Sequence, residues 1–571
     1  MPKVVERLQT PPVGWPRLWA LAQTPFVRLG IRAATLLLAY LVLERWLMGV
    51  ARLPEASYAG PVIAAGVLQR FLVEPAFAPG YLLRIGVVAA LMWLLVARFA
   101  TLRAPWSRLE QGALLRLMVV IPTLLLAWDF ATYDYNLYYD RSHLVDRLAL
   151  GALGGLVLWR PVFVLPFAVM AVAVIGQFNH PIGGYSVAEP FLLVRWLLLF
   201  AAFFLARAAG TGHRPGDFAF LTFTLLAASY FVSGLGKIRL DWFTQGDVAL
   251  LLPATFANGW LGFLDHGTVG ALTRGLARVD WMLVAGMVVF ECAAVLCLLR
   301  RGVFLFFLAA WPVFHLSVFA LSGIFFWKWI VLEVAILLLL LKRPDSALFE
   351  VFSRRHFVLS IPLIVGGTIW FQPANLSWYN AAVSYVYRFE GVGESGRRYS
   401  LPPAFFAPYD YQFTLGAFAY ISPYRQLDVV WGATRDRALA TAMASAGGPG
   451  DVEVLERERG QWFFDADRTG RLEAFLQRFV GTYNERGSKR TLLGALAPPP
   501  HLWTFAGPDA FDGSEAITRV VVRQVASFFD GRGYVELGPR PLRSVDIPSM
   551  AARSTSRQPA SVGARRVTAP R

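Results

Sequence analysis

Residues 218–242 read FAFLTFTLLAASYFVSGLGKIRLDW, and this stretch decides the class of the fold. From Phe218 to Gly236 no charged side chain interrupts an apolar run that approaches the ~20 residues a helix needs to cross a bilayer. The run ends in the small residues Ser233, Gly234 and Gly236, and then presents Lys237, Arg239, Asp241 and Trp242 in quick succession. Small residues let helices approach closely around a charged group, and Trp suits the membrane–water boundary.

Similar apolar runs lie at about 31–49, 81–99, 112–130, 191–209, 281–299, 302–322, 326–342 and, more weakly, 357–372. Residues 147–177 form a longer stretch broken at Arg160-Pro161, which reads as one kinked span or two short ones, because Pro disrupts a helix interior. The composition agrees. Of 571 residues 56% are apolar, 14% aromatic and only 16% charged, and the mean hydropathy is +0.49. A soluble domain is about 45–50% apolar and 25% charged.

The formal charge of +16 raises nucleic acid as a partner, and its distribution argues against it. Arg residues sit at the ends of apolar runs, as cytoplasmic anchors do, and no basic helix interleaved with stacking aromatics is present. Cys292 and Cys297 lie in one apolar run and read as core packing, so no disulfide framework is expected, and the seven scattered His make no metal-spaced cluster.

Positive-inside bias chooses between ten and eleven spans. With Lys3, Arg7, Arg17 and Arg28 in the cytoplasm, eleven spans place Arg103, Arg108, Arg160, Arg207, Arg214, Arg300, Arg301, Lys342 and Arg343 inside as well, whereas Arg274 and Arg278 fall outside against the rule. The expected architecture is therefore an all-α polytopic membrane bundle of about eleven spans followed by a C-terminal soluble α+β domain. Its parts are a cytoplasmic N-terminal segment (1–30), a transmembrane domain (31–372), an extracytoplasmic domain (375–545) and a disordered basic tail (551–571) that contains five Arg and no acid. Within 375–545, strands are expected at 411–421, 427–431 and 452–455. An amphipathic helix is expected over 471–483, where Leu472, Phe475, Leu476 and Phe479 share a face.

Ionisable groups at membrane depth are costly and mark candidate functional sites. Two readings fit Lys237. It snorkels beside an interfacial Trp242, or partial burial leaves an amine able to accept a proton, with Asp241 or Arg239 setting how readily. His315 is either a buried imidazole satisfied by a carbonyl or part of a network with Glu291, Glu333 or Lys328. His180 follows Asn179 in an outer loop, where a histidine is ordinarily solvated.

The segment Ser233–Trp242 resembles the corresponding stretch of the vitamin K-dependent gamma-glutamyl carboxylase family and of the wider group of membrane proteins that share its transmembrane region, the HTTM domain. Lys237, ahead of the Asp241-Trp242 pair, matches that family's catalytic base, Asn179-His180 resembles its Asn-His pair, and Phe314-His315 its later Phe-His. The resemblance covers roughly 130–345 and implies a mechanism. Lys237 removes a proton from a reduced, vitamin K-like quinone, whose reaction with oxygen yields a strong base. That base takes the γ-proton of a protein or peptide Glu, carbon dioxide adds, and His180 supports the Glu. The expected catalytic residues are thus Lys237, His180 and His315, supported by Arg239, Asp241, Trp242 and Glu291, with a quinone cofactor, no metal, membrane lipid around the bundle and no nucleic acid. A transporter whose charged residues line a path, or a non-catalytic membrane scaffold, is the alternative. The absence of an internal repeat weighs against the transporter.

Overall fold

The computed structural model describes residues 24–548 apart from 57–77, 100–101, 103–105, 107–112, 133–142, 179–181, 183–187, 211, 246, 343–347, 349, 372–377 and 487–494. The N-terminal Lys3, Arg7 and Arg17, the Asn179-His180 pair and the 551–571 tail lie outside these.

Each apolar run becomes a helix or a broken pair of helices. In chain order these are α1 (Pro25–Ala56), α2 (Ala78–Arg98), α3 (Ala113–Thr132), α4 (His143–Trp159), α5 (Val164–Phe178), α6 (Ala188–Ala208), α7 (Pro215–Arg239), α8 (His266–Ala277), α9 (Asp280–Cys292), α10 (Arg301–Ser322), α11 (Trp327–Lys342) and α12 (Arg354–Val365). Five are long and apolar enough by themselves to cross a membrane among the described residues: Pro25–Gly49, Ala113–Thr132, Pro190–Ala208, Pro215–Arg239 and Arg301–Ser322. A sixth is formed if His266–Ala277 and Asp280–Leu296, bent by 64°, count as one broken span. The expected count of about eleven is not reached on that measure, because Arg160-Pro161 splits its stretch into short helices and α4, α5 and α11 have 17, 15 and 16 residues, short of the ~20 that a span requires.

α7 is the central helix. Of its most apolar window, 83% is buried inside the protein, the largest share of the five. Buried and part-buried ion pairs tie neighbouring helices together: Arg32 on α1 with Asp217 at the start of α7 (2.9 Å), Arg195 on α6 with Glu44 on α1 (3.1 Å), and Lys328 on α11 with Asp129 on α3 (2.7 Å). An ionisable group at this depth is tolerated when such a partner meets it.

The C-terminal region is built on a five-stranded antiparallel sheet. β2 (Val383–Gly393) pairs along its length with β5 (Ile517–Phe529), with Val383 opposite Phe528 and Tyr387 opposite Gln524. β3 (Arg398–Ser400) flanks β2, while β6 (Tyr534–Glu536) and β7 (Arg540–Asp546) both pair with β5. A second ladder joins β1 (Tyr379–Asn380) to β4 (Ala433–Thr434). The expected helix is present as α14 (Ala466–Arg486), and the predicted face Leu472, Phe475, Leu476 and Phe479 is buried. It packs on an aromatic core in which Phe406 and Phe413 stack at 3.8 Å.

The expected strands are not found. Residues 410–415 are helical and 419–421 a 3₁₀ turn, the 427–431 stretch forms no strand and only bridges through Val430 to Ala433, and 452–455 lies inside the helix α13 (Pro449–Arg459). Pro449 at the first helical position pre-sets φ for a helix, and Asp451, Glu453, Arg457, Glu458 and Arg459 form its exposed side while Val452 and Glu456 are buried. The longest pairing, β2 with β5, runs across more than a hundred residues, which a short apolar run does not disclose.

A backbone seam is among the contacts that join the two halves. The turn after α10 pairs with the segment 501–505: Phe325 donates to the His501 carbonyl (2.8 Å) and Trp503 to that of Gly323 (3.0 Å). Gly323 ends α10 in the left-handed region (φ 73°), and a Cβ there would stand 2.8 Å from the Trp260 ring.

Candidate functional site

Ser229, Tyr230, Ser233 and Lys237 recur at three- and four-residue spacing and so share one face of α7. That face lines a cavity of about 660 Å³. α9 supplies the facing wall through Leu283, Gly286, Met287, Phe290 and Glu291, again at helical spacing, and α10 the third through Ala310, Val313, Phe314, Ser317 and Val318. Phe290 bridges α9 to α10, its ring 5.6 Å from Phe307 and 5.5 Å from Phe314. The C-terminal region supplies part of the lining in Trp378 and Asn380, the latter donating to the Asp247 carbonyl at 2.9 Å. A mainly apolar cavity of this size with a few converging polar groups is the usual form of a small-molecule site.

Two polar clusters stand in it. In the first, Lys237 Nζ donates to both Glu291 oxygens, at 2.7 and 2.6 Å. Both side chains are about 95% buried, and Nζ stands 5.5 Å from the Trp242 ring. Lys237 occupies the last turn of α7, where the unpaired carbonyls favour a cation. Gly234 makes the pairing possible: a Cβ there would lie 2.8 Å from Cys292 Sγ, 2.9 Å from Glu291 Cβ and 3.0 Å from the Cys292 backbone nitrogen.

In the second cluster, the Tyr230 hydroxyl donates to Glu333 Oε1 and lies 2.7 Å from His315 Nε2. His315 Nε2 is itself 3.6 Å from Glu333. The Tyr230 ring lies flat on Trp311, centroids 4.2 Å apart, which fixes the hydroxyl. Two buried polar atoms of cavity-lining residues, Trp242 Nε1 and His315 Nδ1, have no partner among the described residues.

The residues expected from the sequence divide cleanly. Lys237, Trp242, Glu291 and His315 converge on the cavity. Arg239 is exposed, and Asp241, at φ 58°, accepts from Thr244 (2.6 Å) and pairs with Arg437 (3.1 Å), so it is Glu291 that meets the amine. Of the partners considered for His315, Glu333 is the one in place and Lys328 is taken by Asp129. His180 lies outside the described residues. Tyr230, Gly286, Trp378 and Asn380 were missed. The first two were readable as members of the helical faces that carry Lys237 and Glu291. Among the described residues no three His, Cys, Asp or Glu side chains converge as a metal site would require.

Asp247, in the connection after α7, carries a pH dependence. Burial first, and the neighbouring Asp280 carboxylate second, push its carboxyl up to about 6. In the unfolded chain it titrates near the ordinary ~3.9. Between those values the folded protein holds a proton that the unfolded chain has lost, so this group's contribution to stability falls as pH rises from about 4 to 6. Asp247→Asn is expected to flatten that slope and to stabilise the protein at pH 7 by about 1–2 kcal/mol. Thermal melts in nanodiscs at pH 4 to 7 measure it, and an unchanged slope rejects the assignment.

Comparison with known protein families, with curated proteins and with solved structures finds no match to this chain.

Proposed function

We propose that the chain is an integral membrane enzyme of the vitamin K-dependent carboxylase-like kind, with its N-terminus in the cytoplasm and its C-terminal region outside, and that its cavity takes a reduced quinone from the bilayer. The observation that carries this reading is the buried Lys237–Glu291 pair set in the wall of an apolar cavity. Met282 and Val313, at the cavity's edge, are 55% and 65% exposed, so in a bilayer that edge meets lipid.

The residues present fit such a ligand. Met287, Phe290 and Phe314 offer a ring apolar surfaces, and Lys237 offers an oxygen a hydrogen-bonding group. An apolar tail has a way out past Met282 and Val313. When bound, a hydroquinone supplies the electrons for reaction with oxygen and so the strong base that takes a glutamyl γ-proton ahead of carbon dioxide.

The chain's own contribution is a proton acceptor. Lys237 and Glu291 hold one proton between them, whether written as ammonium with carboxylate or as amine with carboxylic acid. Uptake of a second proton, from a hydroxyl at Nζ, leaves the pair with one positive charge beside the oxyanion just formed. The site stays neutral overall, which a low-dielectric surrounding demands.

The test is consumption of quinol by the purified protein in nanodiscs supplied with oxygen, bicarbonate and benzo- or naphthohydroquinones of short and long tail. Turnover above a protein-free control is expected, and its absence with all of them removes the reading. A cavity-filling variant gives an independent check. Nothing lies within 4 Å of where a Gly286 Cβ would stand, so Gly286→Leu is expected to leave the melting temperature within about 2 °C while weakening quinol binding about tenfold or more. Equal affinity in the variant would place the ligand elsewhere.

A further inference from the structure

Arg274 and Arg278 break the positive-inside pattern, and the placing of the helix that carries or adjoins them accounts for both. α8 has 12 residues, an axial length of about 18 Å against the roughly 30 Å of a hydrocarbon core. It meets α9 at a bend of 64°, so over its whole length it advances only about 8 Å along the α9 axis. α9 packs against the long apolar helix α7 at Gly234, and membrane helices tilt by about 20° on average. α8 is therefore closer to the plane of the bilayer than to its normal.

The two sides of α8 differ. Val269, Gly270 and Thr273 are buried. Gly270 sits beneath the 532–533 turn of the C-terminal region, where a Cβ would stand 3.3 Å from the Arg532 carbonyl, and Arg274 donates to that same carbonyl. The other side carries Leu272, 46% exposed, and leads through the exposed Val279 to Trp281, 71% exposed, and Met282 at the start of α9. Arg274 and Arg278 are exposed, and their four-residue spacing sets them in one row on the border between the two sides. At the far end the N-cap Asp265 accepts from the Thr268 backbone (2.9 Å) and hydroxyl (2.6 Å), so this end is polar and exposed. An apolar face edged by cations is the mark of a helix that lies in a membrane interface, and Trp favours the same depth.

We propose that α8 is an interfacial helix in the leaflet on the side of the C-terminal region, with Leu272 among the upper acyl chains and Arg274 and Arg278 on lipid phosphates. Two observations make the bilayer its occupant. The exposed face continues into the α9 surface that meets lipid at Met282, and its row of charges is opposite in sign to the phosphates. The two arginines then act as headgroup ligands and not as topological signals. The helix forms a ledge beside the open edge of the cavity and fixes the depth at which that edge opens into the bilayer. The proposal holds whatever the cavity binds.

Spin-label depth in nanodiscs of phosphatidylcholine tests it, with the full chain, Cys292 and Cys297 replaced by alanine, and a single cysteine at Leu272 or Ala277. The label at 272 is expected to be relaxed by oxygen more than by a nickel chelate and to lie about 5–10 Å below the phosphates. The label at 277, on the opposite side of the helix, is expected to be shallower and open to the chelate. A half-span places 277 about 7.5 Å deeper than 272, and that order overturns the proposal. So does a label at 272 shielded from both reagents, which would show the face covered by protein, a second copy of the chain included. Arg278→Glu is expected to move the 272 label outward by about 2–3 Å and Arg278→Lys to leave it in place. Equal depths in both variants remove the contact with phosphate. If the cysteine-free background does not fold, lipids brominated near the headgroup serve with the native cysteines in place. They are expected to quench a component of tryptophan fluorescence that Trp281→Phe removes, and equal quenching in wild type and variant overturns the proposal.

Discussion

Lys237→Ala is expected to lower quinol consumption by about 10²–10⁴-fold, the range spanned by a positioned general base. It is also expected to destabilise the protein by about 3–5 kcal/mol, because removing one partner leaves a buried Glu291 carboxylate without its bidentate donor. The two effects must be separated, since an unfolded variant is inactive for trivial reasons. Lys237→Met combined with Glu291→Leu replaces the pair by apolar side chains of similar bulk, and buried pairs replaced in this way commonly cost little or even stabilise. That double variant should melt near the wild type and remain without turnover. Full activity in it would reduce the pair to a structural tie between α7 and α9. Recovery of neither property would show that the pair is needed for the fold and leave the catalytic proposal without support.

The second large effect is expected at Gly234. The atoms that a Cβ would meet include the Cys292 backbone nitrogen at 3.0 Å, and backbone cannot move aside by changing rotamer. Gly234→Ala forces α7 and α9 apart by a few tenths of an ångström, and Gly234→Val by more. Overpacking of this kind costs about 1–3 kcal/mol, and in a bundle that relies on small residues for close helix approach the cost falls on the packing itself. Because the same approach brings Lys237 to Glu291, turnover should fall in the order Gly, Ala, Val, alongside the melting temperature. If Gly234→Val melts as the wild type does, α7 and α9 do not approach as closely as described.

Much of the bundle is legible in the sequence. Every long apolar run became helical because a chain that finds no water must satisfy its own backbone, and the helix does so locally. Glu291 and His315 stood out as lone ionisable groups in apolar runs, and Lys237 as the first charge at the end of one. Their partners were not legible. Lys237 has Arg239 and Asp241 as sequence neighbours, yet at a helix end these project away, and its partner lies 54 residues on. Gly234 carried the missing signal, a site for close approach, without saying to what. His315 had two acids and Lys328 as possible partners, and only the packing of Tyr230, held on Trp311 and bonded to Glu333, singles out Glu333. The strand-rich region failed for a related reason. β2 and β5 gain their stability from each other across a long stretch of chain, whereas Val452–Leu455 has a strand-like composition but follows Gly448-Pro449, which starts a helix.

The lining contributed by Trp378 and Asn380 bears on how the protein is made. The helices emerge from the ribosome first, with Lys237 and Glu291 already on them, yet Tyr379–Asn380 is held by a ladder to residues 433–434 and the neighbouring strand by residues 517–529. During synthesis the cavity therefore exists for a time without that cover, its buried charges open to solvent on that side. A chain halted before residue 517 carries the pair and lacks the shelter, so it is the late-made strand at 517–529 that secures the cover on this side of the cavity.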